Sequence, residues 1–299
     1  MEERNEEYTH EPVLLSEVLE LLVTDRAGVY LDATLGLGGH AEAVLEALDP
    51  EGRLLAVDAD PEALAHAGRR LAAQGPRLRA VHCNFRNLSK VLAGEAPASL
   101  SGALFDLGVS SLQMDKPSRG FAFRHDGPLD MRLDPGSPLT AARIVNEWPA
   151  EQLELLLREY GEERAARRIA RWIVDARAHE AFETTGQLKT LLEQRLPRVG
   201  RIHPATKTFM ALRIAVNQEL EALTRGLESV LPALKPGARL AVISFHSLED
   251  RIVKNLFKSL VEAGTCASVT DSPVCAAPAE VARNPRSRSA KLRVIERRK

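Results

Sequence analysis

Short apolar runs alternate with amphipathic segments through the N-terminal part of this chain, each change marked by glycine, proline or charge. The runs at 29–33, 54–58 and 78–82 have the length and bulk of buried strands. Between them, residues 39–48 and 61–73 carry helical spacing, the second segment opened by Pro61 in its first turn. Another apolar run, 100–107, ends in Asp106 and opens Leu107-Gly108-Val109-Ser110-Ser111. Strand and helix in strict alternation predict a parallel sheet of the α/β class.

The rhythm stops after residue 113. A loop rich in glycine, proline and charge leads into helical patterns at 140–148, 150–160, 162–179 and 185–196. A long helix is expected over 205–230, broken around Gly226, followed by a strand at 239–244, a helix at 248–260 and a last, edge strand at 292–295. The reading is a discontinuous core, 1–113 with 205–299, interrupted by a helical insertion at 114–204.

The ends of the strands carry the chemistry. Leu31-Asp32-Ala33-Thr34-Leu35-Gly36-Leu37-Gly38-Gly39-His40 joins the first strand to its helix through a glycine turn. Gly36 and Gly38 can take positive φ and let backbone N–H groups approach a ligand at the helix N-terminus. Asp58, about twenty residues beyond the turn, is placed to accept ribose hydroxyls. Gly36-x-Gly38-x-x-Ala41 also satisfies the dinucleotide pattern, so a nicotinamide-dependent oxidoreductase and an S-adenosylmethionine enzyme both remain open on these residues. Asp32 favours the second, because a carboxylate before the turn suits an ammonium better than a pyrophosphate. In parallel sheets ligands bind outside the carboxyl ends of the strands, which puts Asp32, Asp58, Asn84 and Asp106 on one rim.

Composition narrows the setting. The chain has 299 residues, 44% of them hydrophobic, and no apolar run long enough to cross a membrane. Its acidic start, Met1-Glu2-Glu3-Arg4-Asn5-Glu6-Glu7, lacks the apolar stretch of a secretory signal, so a cytoplasmic protein is expected. Three cysteines without a C-x-x-C pair indicate neither a disulfide framework nor a zinc site, and no metal is expected. The net charge of −1 hides two basic concentrations. One runs through Arg164, Arg167, Arg168, Arg171 and Arg177 to Arg195, Arg198, Arg201, Lys207 and Arg213; the other is the C-terminal stretch from Arg283 to Lys299. Each can neutralise polynucleotide phosphates or simply form a solvated face.

Further blocks carry a resemblance: Glu11-Pro12-Val13-Leu14-Leu15 after His10, Asn84-Phe85-Arg86, Arg119-Gly120-Phe121-Ala122-Phe123, Pro128-Leu129-Asp130-Met131-Arg132, His203-Pro204-Ala205-Thr206-Lys207, Ser244-Phe245-His246-Ser247-Leu248-Glu249-Asp250 and Asn284-Pro285-Arg286-Ser287-Arg288. With the glycine turn and Phe105-Asp106-Leu107-Gly108, they make the chain resemble the bacterial 16S rRNA cytosine-N4 methyltransferases of the MraW family over nearly its whole length. The resemblance implies a Rossmann-like class I methyltransferase core with an inserted helical substrate-recognition domain, S-adenosylmethionine as cofactor, and 16S rRNA, within the small ribosomal subunit, as partner. It implies cofactor contacts from Gly36, Gly38, Gly39, His40, Asp58, Phe85, Asp106 and Gln113, with Asp106 also the catalytic candidate. On residue chemistry alone, Phe85 reads as a core aromatic and Gln113 has no assigned role. His246 reads equally as a site residue or as part of a capping turn with Ser247 at the N-cap and Asp250 in its first turn, whereas His203 reads as helix-starting. Self-association as a homodimer is left open. The rival classes are a methyltransferase of another nucleic acid, the oxidoreductase, and a non-catalytic RNA-binding factor.

Overall fold

The computed structural model describes residues 11–96, 98–198 and 203–299. The acidic start, His10 and Arg201 lie outside them. Seven strands, β1 Val29–Asp32, β2 Arg53–Asp58, β3 Leu78–His82, β4 Leu100–Asp106, β5 Leu234–Ser244, β6 Cys266–Ser268 and β7 Lys291–Arg297, form one sheet in the order β3-β2-β1-β4-β5-β7-β6. The first five are parallel, and β7 enters antiparallel between β5 and β6. The direction of winding changes between β1 and β4, which makes their carboxyl ends the switch point where a ligand crevice is expected.

Strand β4 is buried along all but its last residue, as a parallel strand covered on both faces should be. Its neighbours sort by period two: Leu31, Leu55, Val57, Ala103, Phe105 and Val242 share one apolar cluster, whereas Tyr30, Leu54, Ala56, Leu104, Ala241 and Ile243 share another. The strand expected at the edge, 292–295, is instead an inner strand, because the three-residue β6 pairs along its outer side. Three residues carry no periodic signal, so β6 is invisible in the sequence. Part of the basic C-terminal stretch, Lys291, Arg293 and Arg297, is built into β7 of the sheet. Lys291 and Arg293 both reach Asp250, at 3.0 and 2.7 Å, and Arg297 donates to the carbonyls of Leu231 and Pro232.

The chain divides into two compact units, one joining everything up to Gly108 with Leu220–Lys299, the other Val109–Glu219. The second is wider than the 114–204 read from sequence. Helix Thr206–Asn217 belongs to it because Phe209, Leu212, Ala215 and Val216 are buried in a cluster with Ile144, Leu157 and Ile169. Helices Ala141–Glu147, Ala150–Glu159, Ala166–Arg177 and Thr185–Arg195 supply the rest of that cluster.

The long helix expected over 205–230 is two helices, and its break lies at Gln218, not at Gly226. Gln218 takes φ 50°, ψ 42° as the C-cap of Thr206–Asn217. Asn217 anchors that end, donating to the Met131 carbonyl and accepting from Leu133 N at 2.8 Å each. Gly226 sits inside the unbroken helix Glu219–Val230, where a Cβ would stand 3.1 Å from Phe85 Cδ2 and 3.2 Å from Phe105 Cε1. Its glycine serves close packing, not helix termination. Among the described residues no helix is long and apolar enough to cross a membrane.

Candidate active site

Beyond Asp32 the chain turns through Gly36 at φ 52° and Gly38 at φ 84°, left-handed conformations that side chains disfavour. Gly38 then becomes the N-cap of helix Gly39–Ala47 with no side chain capping it. The first N–H groups of that helix therefore have no intrahelical partner and suit an acceptor-bearing ligand. Gly39 is required for another reason: a Cβ there would come 2.5 Å from Pro12 Cγ.

Asp58 ties this turn to β2. Its Oδ2 accepts from Gly36 N at 2.7 Å and its Oδ1 from Asp60 N at 2.8 Å, leaving lone pairs on both oxygens for hydroxyl donors. Burial pushes its pKa up to about 6, against the pull of the Asp60 and Gly36 amides. Asp32, only 3% exposed, accepts from Thr34 N at 2.9 Å. Burial also raises its pKa to about 6; Asp106 and Asp58 push the same way, while the Thr34 amide and His40 oppose them.

Asp106 closes the rim from β4. Thr34 Oγ1 accepts its backbone N–H at 2.7 Å, locking the ends of β1 and β4 together. His40 Nε2 lies 3.5 Å from Asp106 Oδ2, long for a hydrogen bond and close enough for strong charge interaction. Burial works against a charged imidazole here, but Asp106 and then Asp32 outweigh it and raise the His40 pKa. Asp106 Oδ1 is buried and, among the described residues, has no hydrogen-bond partner, while His40 meets only the long Asp106 contact and the Val13 backbone. Such orphaned groups are costly in a folded core and mark a place where a ligand completes the bonding.

Phe85 follows β3 in the turn Phe85–Asn87, whose start is capped by Asn84 accepting from Arg86 N at 3.0 Å. Its ring meets Phe105 edge-to-face, centroids 5.8 Å apart, and stays half-buried. Gln113 belongs to the Val109–Glu219 unit. Its Oε1 accepts from Ser110 N at 2.9 Å in the capping box of the short helix Ser111–Asp115. The cap at helix Ser247–Glu262 is His246, not Ser247. Glu249 N donates to His246 Nδ1 at 3.4 Å, and Glu249 Oε2 returns to the amides of Phe245 and His246. Histidine can replace serine because its Nδ1 offers the same acceptor at similar reach. His203 accepts from Ala205 N through Nδ1 and reaches Glu193 through Nε2, stacking on Phe123, which supports its helix-starting reading.

Two residues that organise this rim were not singled out in the sequence. Thr34 could have been: Asp-x-Thr at a strand end is a local turn in which the hydroxyl is left to face the next strand. Gly226 could not, because its partners Phe85 and Phe105 come from distant segments.

The ligand this rim accepts follows from its charge. Asp32, Asp58 and Asp106 interact electrostatically around one histidine, a setting that repels the pyrophosphate of a dinucleotide and favours a cation. S-adenosylmethionine fits: it carries a sulfonium and an ammonium, and its ribose and carboxylate match Asp58 and the first amides of helix Gly39–Ala47. Sheet order, switch point and acidic glycine turn define a Rossmann-like class I methyltransferase. The chain belongs to the MraW methylase family, whose model matches residues 7–298. It is 48% identical to ribosomal RNA small subunit methyltransferase H of Symbiobacterium thermophilum, covering 96% of both chains. The proteins of that name from Geobacter sulfurreducens, 49% identical over 97% of this chain and 99% of the relative, and from Thermomicrobium roseum, 50% over 97% and 94%, are similarly related. Its methyl donor is S-adenosylmethionine.

Proposed function

We propose that this enzyme methylates small-subunit ribosomal RNA, at the exocyclic N4 of a cytidine in the decoding region of 16S rRNA. Full-length similarity to relatives named for small-subunit rRNA supports the substrate class. The observation that carries the amino-group assignment is Asp106: a carboxylate at the end of β4, held by Thr34 and faced by His40, with a buried oxygen lacking a partner.

Bound S-adenosylmethionine supplies an electrophilic methyl on a sulfonium leaving group. Gly36, Gly38, Gly39 and His40 would hold it along the turn, Asp58 on the ribose, Phe85 beside the adenine, and Asp32 opposite the ammonium. The cytosine amine is a weak nucleophile because its lone pair is delocalised into the ring. Asp106 Oδ1 accepts one of its N–H bonds, which localises the pair and stabilises positive charge developing on nitrogen. As the N–C bond forms, that proton passes to the carboxylate. Positioning supplies much of the remaining rate, so no covalent enzyme intermediate is required. A base buried in a helix cannot reach such a rim, and the target cytidine must be unstacked or single-stranded. The Val109–Glu219 unit is the substrate-recognition element in this reading. The test is transfer of labelled methyl from S-adenosylmethionine to small-subunit rRNA, alongside thermal-shift titrations in which S-adenosylmethionine stabilises the protein and NAD does not. Cofactor binding without transfer to naked rRNA or assembled subunits would leave only a non-catalytic binding role.

A further inference from the structure

Helix Ala166–Arg177 carries a charge pattern that neither its packing nor the methyl-donor rim uses. Its inner face, Ala166, Ile169, Ala170 and Ile173, is buried in the helical unit. Arg167, Arg168 and Arg171 are exposed around the rest of it, with exposed Arg164 in the turn just before. Exposed Arg195 closes the neighbouring helix Thr185–Arg195, and Arg198 follows. Among the described residues none of these six guanidiniums has a carboxylate partner. Other arginines of the same unit do: Arg132 pairs with Asp130, Arg143 with Glu147, Arg158 with Glu154 and Arg213 with Glu219. The acids nearest in sequence are Glu162 and Glu163, the latter accepting from Ala165 N, Glu193, which reaches His203, and Asp175, exposed on the same helix.

Trp172 organises this patch. It is half-buried, with the Arg168 guanidinium 5.7 Å and the Arg195 guanidinium 5.9 Å from its ring centroid. Guanidiniums held against a ring lose little further freedom when they form bidentate bonds, which is how arginine recognises phosphate best. Arg164, Arg168 and Arg171 follow one another at spacings of four and three residues. Within the helix Arg168 and Arg171 therefore lie on one side, about 4.5 Å apart along the axis, and Arg164 precedes them in the turn. The large exposed hydrophobics among the described residues, Met114 and Leu155, lie on neither of these helices, and Trp172 is flanked by cations.

We propose that this face binds the phosphate backbone of the RNA substrate, with Arg167, Arg168, Arg171 and Arg195 meeting phosphates and Trp172 holding two of them in place. The assignment of that RNA as the methyl acceptor rests on the function proposed above; the binding face is tested separately. The experiment compares wild type, Arg167→Gln/Arg168→Gln/Arg171→Gln, and a control, Arg143→Gln/Arg158→Gln, that removes paired arginines of the same unit. Binding to protein-free small-subunit rRNA is measured against salt, with steady-state methylation and S-adenosylmethionine titration in parallel. The triple variant should lose at least about tenfold in RNA affinity at low salt, and its slope of log affinity on log salt should shrink by roughly 2–3. Its KM for rRNA should rise while kcat and cofactor affinity hold, and the control should match wild type. Trp172→Leu should fall between them and Trp172→Phe closer to wild type. A triple variant with wild-type affinity and salt slope overturns the proposal. So does a wild type that binds assembled subunits but not protein-free rRNA, since a protein would then occupy the face. If rRNA binding depends on these arginines but no methyl is transferred to that RNA, the binding face stands and the methyl-acceptor reading falls.

Discussion

His40 Nε2 stands 3.5 Å from Asp106 Oδ2, joining the helix that follows the glycine turn to the end of β4. The contact makes donor site and acceptor site one electrostatic unit: a residue of the cofactor turn bears on the carboxylate assigned to the amine. Asp106→Asn keeps the shape and removes the charge. It should lower kcat about 10²- to 10³-fold while the S-adenosylmethionine dissociation constant stays within a few-fold. Single-turnover methylation with parallel calorimetric titration separates the two. Undiminished transfer by this variant would remove Asp106 from the chemistry.

The same pair has a pH signature in stability. The His40 pKa is raised in the folded chain, so the protonated ring is bound more favourably folded than unfolded. That contribution is fully present below the ordinary histidine value of 6.5 and is lost as pH rises through the folded value. In His40→Gln the dependence should vanish from that window. Thermal unfolding of both proteins across the histidine range checks it.

Asp32 behaves oppositely. Its pKa is about 6 in the folded chain against 3.8 ordinarily, so between those values the folded state holds a proton the unfolded state has released. Stability falls as pH rises through this window, and the cost of the buried charge is complete at neutral pH. Asp32→Asn should therefore raise the midpoint of unfolding at neutral pH, by on the order of 1–3 kcal/mol of stability. In the wild type, affinity for the cationic cofactor should weaken as pH drops below about 6. The variant should bind weakly throughout and show less of that dependence in calorimetry.

Thr34→Val is nearly isosteric but removes the hydroxyl that accepts Asp106 N at 2.7 Å. Leaving that amide unpaired should cost about 1–3 kcal/mol and lower kcat by moving Asp106. Thr34→Ser should restore both, which denaturant unfolding and rate measurements would show together.

Gly226→Ala adds a methyl 3.1 Å from Phe85 and 3.2 Å from Phe105. Overpacking of this kind costs about 1–3 kcal/mol. With Phe85 displaced, S-adenosylmethionine affinity should fall several-fold, whereas Gly68→Ala, on a helix with nothing within 4 Å, should bind normally.

These positions also show how far the sequence could be read. Strands β1, β2 and β4 were legible because buried parallel strands are apolar runs, and their last residues named the rim; β3, Leu78-Arg79-Ala80-Val81-His82 at the sheet edge, is largely exposed. The break at Gln218 was not, since a left-handed glutamine is set by Asn217 holding a distant loop at Met131 and Leu133. Gly226 misled for the same reason: its packing against Phe85 and Phe105 exists only once the sheet has formed. Of the basic concentration near the C-terminus, Lys291, Arg293 and Arg297 belong to β7, where Asp250 pairs the first two and β6 covers the outer side. Gln113 remained without a role from residue chemistry alone. In the structure it carries a helix cap inside the helical unit, a task that its spacing from Ser110 could have signalled.

The central claim is that the acidic glycine turn delivers a methyl group to a cytidine amine. The most direct measurement is incubation of unmethylated small-subunit rRNA with methyl-labelled S-adenosylmethionine and this enzyme, followed by digestion and separation of nucleosides. Label is expected in N4-methylcytidine, abolished or strongly reduced by Asp106→Asn. Label in any other nucleoside, or none from an enzyme that binds the cofactor, would contradict it.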